Sequence, residues 1–295
     1  MNDWFTSDRY EEYQKHLIQS VVTDSKLREM MEYSLFAGGK RFRPSLLLHA
    51  FDAISAANGK GHHTKVKDTA MHFAVALECI HTYSLIHDDL PCMDDDDLRR
   101  GMPTSHIKYG EAEALLAGDA LLNLGFELMA KAASESDSAE AARAMYYVGR
   151  ASGANGMVLG QFYDIQNEGD VTVAQLDRIN LYKTSALIRA SIVAGVILAS
   201  GDRLQIAKAE EIGDCVGMIF QLTDDLIDIH SSAEEAGKTV GSDVDAHKLT
   251  YPALLGEDEV HRIVGSLVEK VEALADEISL YFIKDIVKKL VGRKK

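Results

Sequence analysis

Residues 88–97 read DDLPCMDDDD, six aspartates in ten positions. An acidic run is by default a solvated surface, but the segment leading in, residues 70–86, is nearly all apolar. Asp88 and Asp89 therefore leave a core helix, where carboxylates repel one another and lose solvation unless a positive charge joins them. The second cluster is sharper. Asp224 and Asp228 stand at i and i+4 on one helical face, flanked by Asp225 and preceded by the mostly apolar GMIFQLT. Like charges at that spacing destabilise a helix by a few tenths of a kcal/mol in water and by more when partly buried. A divalent cation would reverse the cost. No Cys/His set has zinc-like spacing, and all-oxygen ligation suits Mg²⁺, which takes one or two protein carboxylates, waters and the phosphates of a substrate. Two such clusters facing each other could clamp a diphosphate through several ions. An EF-hand does not fit, because the fifth, sixth and twelfth positions counted from Asp94 are Leu98, Arg99 and Ser105.

An anionic ligand also needs local cations in a chain of net charge −15. They stand beside breaks in the helical pattern: Lys40, Arg41 and Arg43 in GGKRFRP, Arg99 and Arg100 directly after the first acidic run, Lys183 followed by Thr184, and Lys238 and Lys248 around the segment after the second cluster. Arg grips phosphate bidentately and Lys acts as a mobile point charge. The overall acidity argues against nucleic acid or an anionic membrane surface as a main partner.

The elements that must position these residues are helices. Only four prolines interrupt 295 residues, and apolar residues recur at helical spacing almost everywhere. The pattern predicts helices near 8–21, 24–37, 43–57, 66–89, 111–132, 137–165, 173–183, 185–200, 203–231 and 257–290 with a break. Gly38-Gly39 is read as a C-terminal cap, Thr172–Gln175 as a capping box, and Gly201-Asp202 as the end of one helix and the cap of the next. Residues 90–110 and 233–250 resist helix, and each follows the carboxyl end of a long apolar helix, where loops often carry function. No Ser/Pro-rich linker divides the chain, so residues 1–295 are expected to form a single all-α domain. Three scattered cysteines read as free thiols, no basic-then-apolar leader is visible, and the most apolar tract, residues 190–200, is short of the ~20 residues a membrane span needs. A cytoplasmic chain without membrane insertion is expected.

Taken together, GGKRFRP, ECIHTYSLIHDDLPCMDDDDLRRG, GDALL, YKTSALI, FQLTDDLID, GKTVGSD and KLTYPALLG, in this order between Ser34 and Leu255, resemble the all-helical trans-polyprenyl diphosphate synthases, and within them the bacterial type of farnesyl diphosphate synthase. The resemblance implies the isoprenoid synthase fold, a bundle of ten or more mostly antiparallel helices around a central cavity. It implies a homodimer, for which the apolar stretch around Leu115–Leu128 is a candidate interface. It assigns Asp88, Asp89, Asp94, Asp224, Asp225 and Asp228 to Mg²⁺, three ions per substrate-loaded site. Arg99, helped by Lys183, Lys238 and Lys248, would hold an allylic diphosphate, while Lys40, Arg43, His81 and Arg100 would hold isopentenyl diphosphate. Thr184 and Gln221 would lie near the reactive carbon. The implied reaction is ionisation, condensation and elimination, with farnesyl diphosphate as product and geranylgeranyl diphosphate as the alternative.

Product length has a candidate ruler. Residues four and five before Asp88 are Ser84 and Tyr83, ~6–7.5 Å below it on a helix. In farnesyl-forming relatives an aromatic at the deeper position, with four residues between the second and third motif aspartates, limits the chain, and both features are present here. Other readings fit less well. A His-Asp phosphohydrolase would use His87-Asp88 but leaves the repeated aspartate motif and the basic turn unexplained. A terpene cyclase would want Ser or Thr at Asp228 and Glu at Ser232. A regulatory subunit would be expected to lose metal ligands, and all six are present.

Overall fold

The computed structural model describes residues 7–59, 64–136, 138–166, 171–230 and 250–293. Among these residues the chain is helical, apart from a small antiparallel hairpin of β1 (Leu98–Arg99) and β2 (Met102–Pro103) in which Leu98 faces Pro103. It divides into two compact units, Met1–Leu48 with His62–Met145, and His49–Gly61 with Tyr146–Lys295.

The first unit holds α1 (Ser7–Val21), α2 (Ser25–Leu35), the start of α3 (Phe42–Ala57), α4 (Thr64–Asp88), α5 (Ser105–Tyr109), α6 (Glu111–Ser136) and the start of α7 (Ala139–Ser152). Every residue of α4 from 71 to 80 is buried, as expected of a helix that is apolar on all sides. Helices α1, α2 and α6 pack around it. Contact between α4 and α6 depends on small residues, because a Cβ at Gly118 would collide with the His87 ring and one at Gly125 would press on Ile80.

Asp24 caps α2 by accepting from the backbone N–H of Lys26 and Leu27, both at 2.9 Å. The helix ends at Leu35, and Gly38 and Gly39 take φ values of +90° and +122° beyond it. The two glycines thus shape the turn into α3 rather than cap α2. Arg41 also adopts positive φ, +46°. Its guanidinium is buried, donating to the Leu35 carbonyl at 2.9 Å and to the buried Glu78 carboxylate at 3.0 Å. Of the three cations in this turn, Arg41 is therefore a brace that fixes where Lys40 and Arg43 stand. Glu78→Gln leaves the buried guanidinium with only the exposed Glu11, 3.7 Å away, as counter-charge and should lower unfolding stability by about 3 kcal/mol in a urea titration. A loss below about 1 kcal/mol would show that the pair does not hold the turn.

The second unit holds α8 (Met157–Ile165), α9 (Val173–Asn180), a π-turn (Leu181–Ser185), α10 (Ala186–Leu198), α11 (Arg203–His230), α12 (Tyr251–Leu255), α13 (Glu257–Glu277) and α14 (Phe282–Val291), with the remainders of α3 and α7. Buried α10 lies along α11, which also carries α13 and α14. Both expected caps are present. Thr172 and Gln175 exchange the two bonds of a capping box at 3.3 and 3.0 Å, and Asp202 and Gln205 do the same at 2.8 and 3.0 Å.

Three boundaries differ from the sequence expectation. Residues 137–165 form two helices, because the chain breaks at Gly153–Gly156, where a Cβ on Gly156 would collide with Ala151. Residues 90–110 are not helix-free, since they include the hairpin and α5. The segments expected at 173–183 and 185–200 are one continuous helix, because the π-turn keeps its hydrogen-bond ladder through Lys183-Thr184. That 26-residue helix is long and apolar enough to cross a membrane by length and composition. Its most apolar window is 72% buried in the chain, as in the core helix of a globular unit.

Candidate active site

In the first unit, α4 delivers Asp88 and Asp89 at its carboxyl end. The backbone folds back at once, with the Asp94 N–H donating to the Asp88 carbonyl at 2.9 Å, so the run turns instead of extending. Asp94 is exposed and Asp88 half-buried. Asp89 is buried and gripped by Arg99, whose Nε donates to both carboxylate oxygens at 2.8 and 2.9 Å and whose terminal nitrogen donates at 2.5 Å. Burial pushes the Asp89 carboxyl upward against the opposing pull of Arg99. The hairpin bearing Arg99 is tied to α2 by Tyr33 donating to the Pro103 carbonyl and by Ser34 with Ser105, both at 2.7 Å. A cleft opens there, lined by Tyr33, Thr82, Asp89, Arg99 and Arg100.

Arg100 takes φ +54°, lays its guanidinium over Gly39 and donates to the Gly38 carbonyl. A side chain on Gly39 would displace it. His81 lies nearby, and its pKa is pushed well below the usual imidazole range, first by burial and then by Arg43, Arg100, Arg99 and Arg41. His81 therefore enters this group as a neutral donor, and the surrounding guanidiniums supply the charge. Arg43, His81 and Arg100 share one electrostatic environment, and Lys40 stands exposed on the same turn as Arg43.

Deeper along α4, Tyr83 is buried and meets the edge of His87, ring centroids 5.5 Å apart and planes at 84°. His87 Nε2 lies 3.1 Å from the Leu115 carbonyl on α6. Tyr83 is thus held in one place by the last turns of α4. Ser84 is half-buried and donates to the His81 carbonyl at 2.9 Å.

In the second unit, Thr184 donates to Gln221 at 3.2 Å, and Gln221 donates through Nε2 to Asp225 at 2.8 Å. The other oxygen of Asp225 accepts the Tyr251 N–H at 3.0 Å. Three residues expected at the site thereby form one hydrogen-bonded line. The π-turn presents Thr184 and Lys183, and its backbone is approached by Gly160 of α8 and Gly217 of α11, neither of which has room for a Cβ. Lys183 pairs with Asp164 at 2.6 Å. Asp224 pairs with Arg293 at 2.8 Å, and Asp228 is exposed. Burial pushes the Asp225 carboxyl up to about 6, the bonds from Tyr251 and Gln221 pull it down, and Asp228 and Asp224 push it up further. Lys238 and Lys248 lie outside the described residues.

Among the described residues no group of three or more His, Cys, Asp or Glu side chains converges where it could hold a metal ion. Asp89 is turned instead toward Arg99, Asp225 toward Gln221 and Tyr251, and Asp224 toward Arg293. The donor chemistry still fits a hard divalent cation, because the expected ligands are carboxylate oxygens. Sequence reasoning gives no role to Asp164 or Tyr251. Tyr251 stands in a motif already quoted, but it holds Asp225 through its backbone N–H, which residue type does not reveal.

The polyprenyl synthetase family model matches residues 24–278. The chain belongs to the polyprenyl synthetase family. It is 47% identical over 238 residues to the heterodimeric geranylgeranyl pyrophosphate synthase large subunit 1, chloroplastic, of Arabidopsis thaliana, covering 78% of this chain and 62% of that protein. It is 44% identical over 236 residues to the chloroplastic geranylgeranyl pyrophosphate synthase of Catharanthus roseus, covering 79% of this chain and 64% of that protein. The chain therefore spans a little under two thirds of these relatives' length. Among solved structures, the Helicobacter pylori geranyltransferase complexed with magnesium and isoprenyl diphosphate matches with a TM-score of 0.81 and 31% identity, over 96% of this chain and 93% of that one. The all-α isoprenoid synthase fold expected of this polyprenyl synthetase is thus the fold it has.

Proposed function

We propose that this polyprenyl synthetase is a Mg²⁺-dependent prenyltransferase that condenses isopentenyl diphosphate with allylic diphosphates to geranylgeranyl diphosphate. The observation that carries the reading is the line Thr184–Gln221–Asp225, which ties an aspartate motif to the two groups expected beside the reacting carbon. Bound Mg²⁺ would neutralise charge on the diphosphate as it departs. It would be held by Asp88, Asp89 and Asp94 in one motif and by Asp224, Asp225 and Asp228 in the other, three ions in all on the family pattern.

Arg99 and Lys183, with Lys238 and Lys248, hold the allylic diphosphate, and Lys40, Arg43, His81 and Arg100 hold that of isopentenyl diphosphate. The allylic C–O bond breaks and its electron pair leaves with the diphosphate. The isopentenyl double bond attacks the vacated carbon, and a proton is lost to the released diphosphate. Thr184 and Gln221 orient the reacting carbon. Water, which would capture the cation, is to be kept from the reacting carbon.

Two relatives at 47% and 44% identity are named for geranylgeranyl pyrophosphate, which supports a C20 product. Buried, fixed Tyr83 favours farnesyl diphosphate as a second reading. The test is incubation with Mg²⁺, radiolabelled isopentenyl diphosphate and C5, C10 or C15 allylic primers, followed by chromatography of the dephosphorylated products. C20 alcohol from every primer is expected. Accumulation of C15 with refusal of the C15 primer would overturn the C20 reading. In the same assay Tyr83→Ala should lengthen the product by at least one isoprene unit. An unchanged product would remove Tyr83 as a ruler.

Of the stretch expected at the homodimer interface, Leu121, Leu124 and Leu128 are buried within the chain and Leu115 and Leu116 are exposed, which supports only the start of α6 as the homodimer face. Light scattering of the purified chain tests this, with twice the 32.4 kDa chain mass expected. Cys79, Cys92 and Cys215 carry free thiols, in keeping with a reducing compartment such as the cytoplasm. The two curated relatives described above are chloroplastic.

A further inference from the structure

Beyond α14 the chain delivers a cation to the second aspartate motif. Ile283, Val287 and Leu290 are buried where α14 packs on α11 and α13, and ion pairs Lys284–Asp276 and Lys288–Glu272 tie α14 to α13. Gly292 ends the helix, with its N–H on the Lys288 carbonyl at 2.9 Å. Arg293 then reaches α11, donating to Asp224 at 2.8 Å with its guanidinium carbon 4.7 Å from the centre of the Phe220 ring. Phe220 and Asp224 are one helical turn apart, so a carboxylate and an aromatic face seat the same planar group. The Arg293 side chain is 16% exposed. This seat is built, and the motif it covers holds Asp224, Asp225 and Asp228.

We propose that Arg293 is a positioning residue for the second aspartate motif: its guanidinium holds Oδ1 of Asp224 in the metal-free protein, and its charge opposes a divalent cation at that carboxylate. The inference rests on the metal reading of Asp224. Arg293 holds one oxygen of Asp224, and a positive guanidinium there repels a divalent ion drawn to the other, so Arg293 competes with the ion electrostatically while sparing the metal-free motif its self-repulsion. The competition makes the site respond to Mg²⁺ over a higher concentration range than Asp224, Asp225 and Asp228 would set without it.

The test reads metal binding without turnover. Thermal midpoints of the wild-type chain, Arg293→Ala, Arg293→Lys and Asp224→Asn are followed against Mg²⁺ concentration, since a ligand that binds the folded state raises the midpoint. Arg293→Ala should lower the half-stabilising Mg²⁺ concentration by roughly three- to fivefold, the ratio an ion pair of this exposure corresponds to, with Arg293→Lys nearer wild type. Asp224→Asn should raise it. A uniform drop in midpoint for Arg293→Ala with no change in the half-stabilising concentration would make Arg293 a purely structural contact and overturn the proposal, while leaving the metal reading intact if Asp224→Asn behaves as stated. An unchanged Mg²⁺ response in Asp224→Asn would overturn both.

Discussion

Asp88→Ala and Asp224→Ala are each expected to lose turnover by about three orders of magnitude while the helical fold survives. Asp88 stands at the carboxyl end of α4, where negative charge opposes the helix dipole, and Asp224 stands next to Asp225 on α11, paired with Arg293. Removing Asp88 relieves repulsion, removing Asp224 gives up its surface-edge pair with Arg293, and neither touches the apolar faces, so circular dichroism and the cooperativity of unfolding should stay close to wild type. The loss falls on charge stabilisation of the departing diphosphate. Deleting a single preorganised donor of that kind commonly lowers kcat by roughly 10²–10³-fold, and each aspartate removed also weakens retention of the ion itself. Near-native kcat/KM in either variant would defeat the metal reading.

Asp225→Asn should separate stability from function. The folded-state pKa of this carboxyl is raised to about 6, with burial as the first cause. For a raised acid, ionisation is harder in the folded than in the unfolded chain, so stability is greatest below the unfolded value near 4 and declines as pH rises toward 6. The difference between those two values corresponds to about 3 kcal/mol of strain above that window. Asn removes the strain and keeps the Tyr251 N–H bond through its one carbonyl oxygen. Its amide nitrogen then faces Gln221, which must flip and present its own nitrogen to Thr184, so the net gain at pH 7.5 should be smaller, about 1–2 kcal/mol. Metal-free Asp225→Asn is therefore expected to unfold at higher urea than wild type at pH 7.5, to lose most of that advantage at pH 4.5, and to turn over at least a hundredfold more slowly. A variant less stable than wild type at pH 7.5 would show that the carboxylate is not strained.

Much of the fold is legible in the sequence because local rules are enough. Caps at Thr172 and Asp202 follow from residue type, and the apolar run before Asp88 marks α4 as a core helix. The break at Gly153–Gly156 is not legible, because glycines inside a helical pattern are tolerated as often as they end it. Nor is the continuity through Lys183-Thr184, because a π-turn has no simple periodic signature, yet it is what presents both side chains. At the basic turn, spacing cannot separate Arg41 from its neighbours, since the decisive partner, Glu78, lies 37 positions away. The same holds for Asp164, Tyr251 and Arg293. Each acts on a site residue through a contact between distant segments, and only packing decides such contacts. Product length is a further case: Tyr83 points to a shorter chain by its place on α4, while the relatives in sequence point to a longer one.

The most direct measurement is the stoichiometry of pyrophosphate release from an allylic diphosphate, with and without isopentenyl diphosphate and with Mg²⁺ either present or chelated. One pyrophosphate is expected for each isopentenyl unit incorporated, with no orthophosphate and no release once Mg²⁺ is removed. Orthophosphate as the main product, or pyrophosphate release at an undiminished rate without isopentenyl diphosphate, would contradict this expectation.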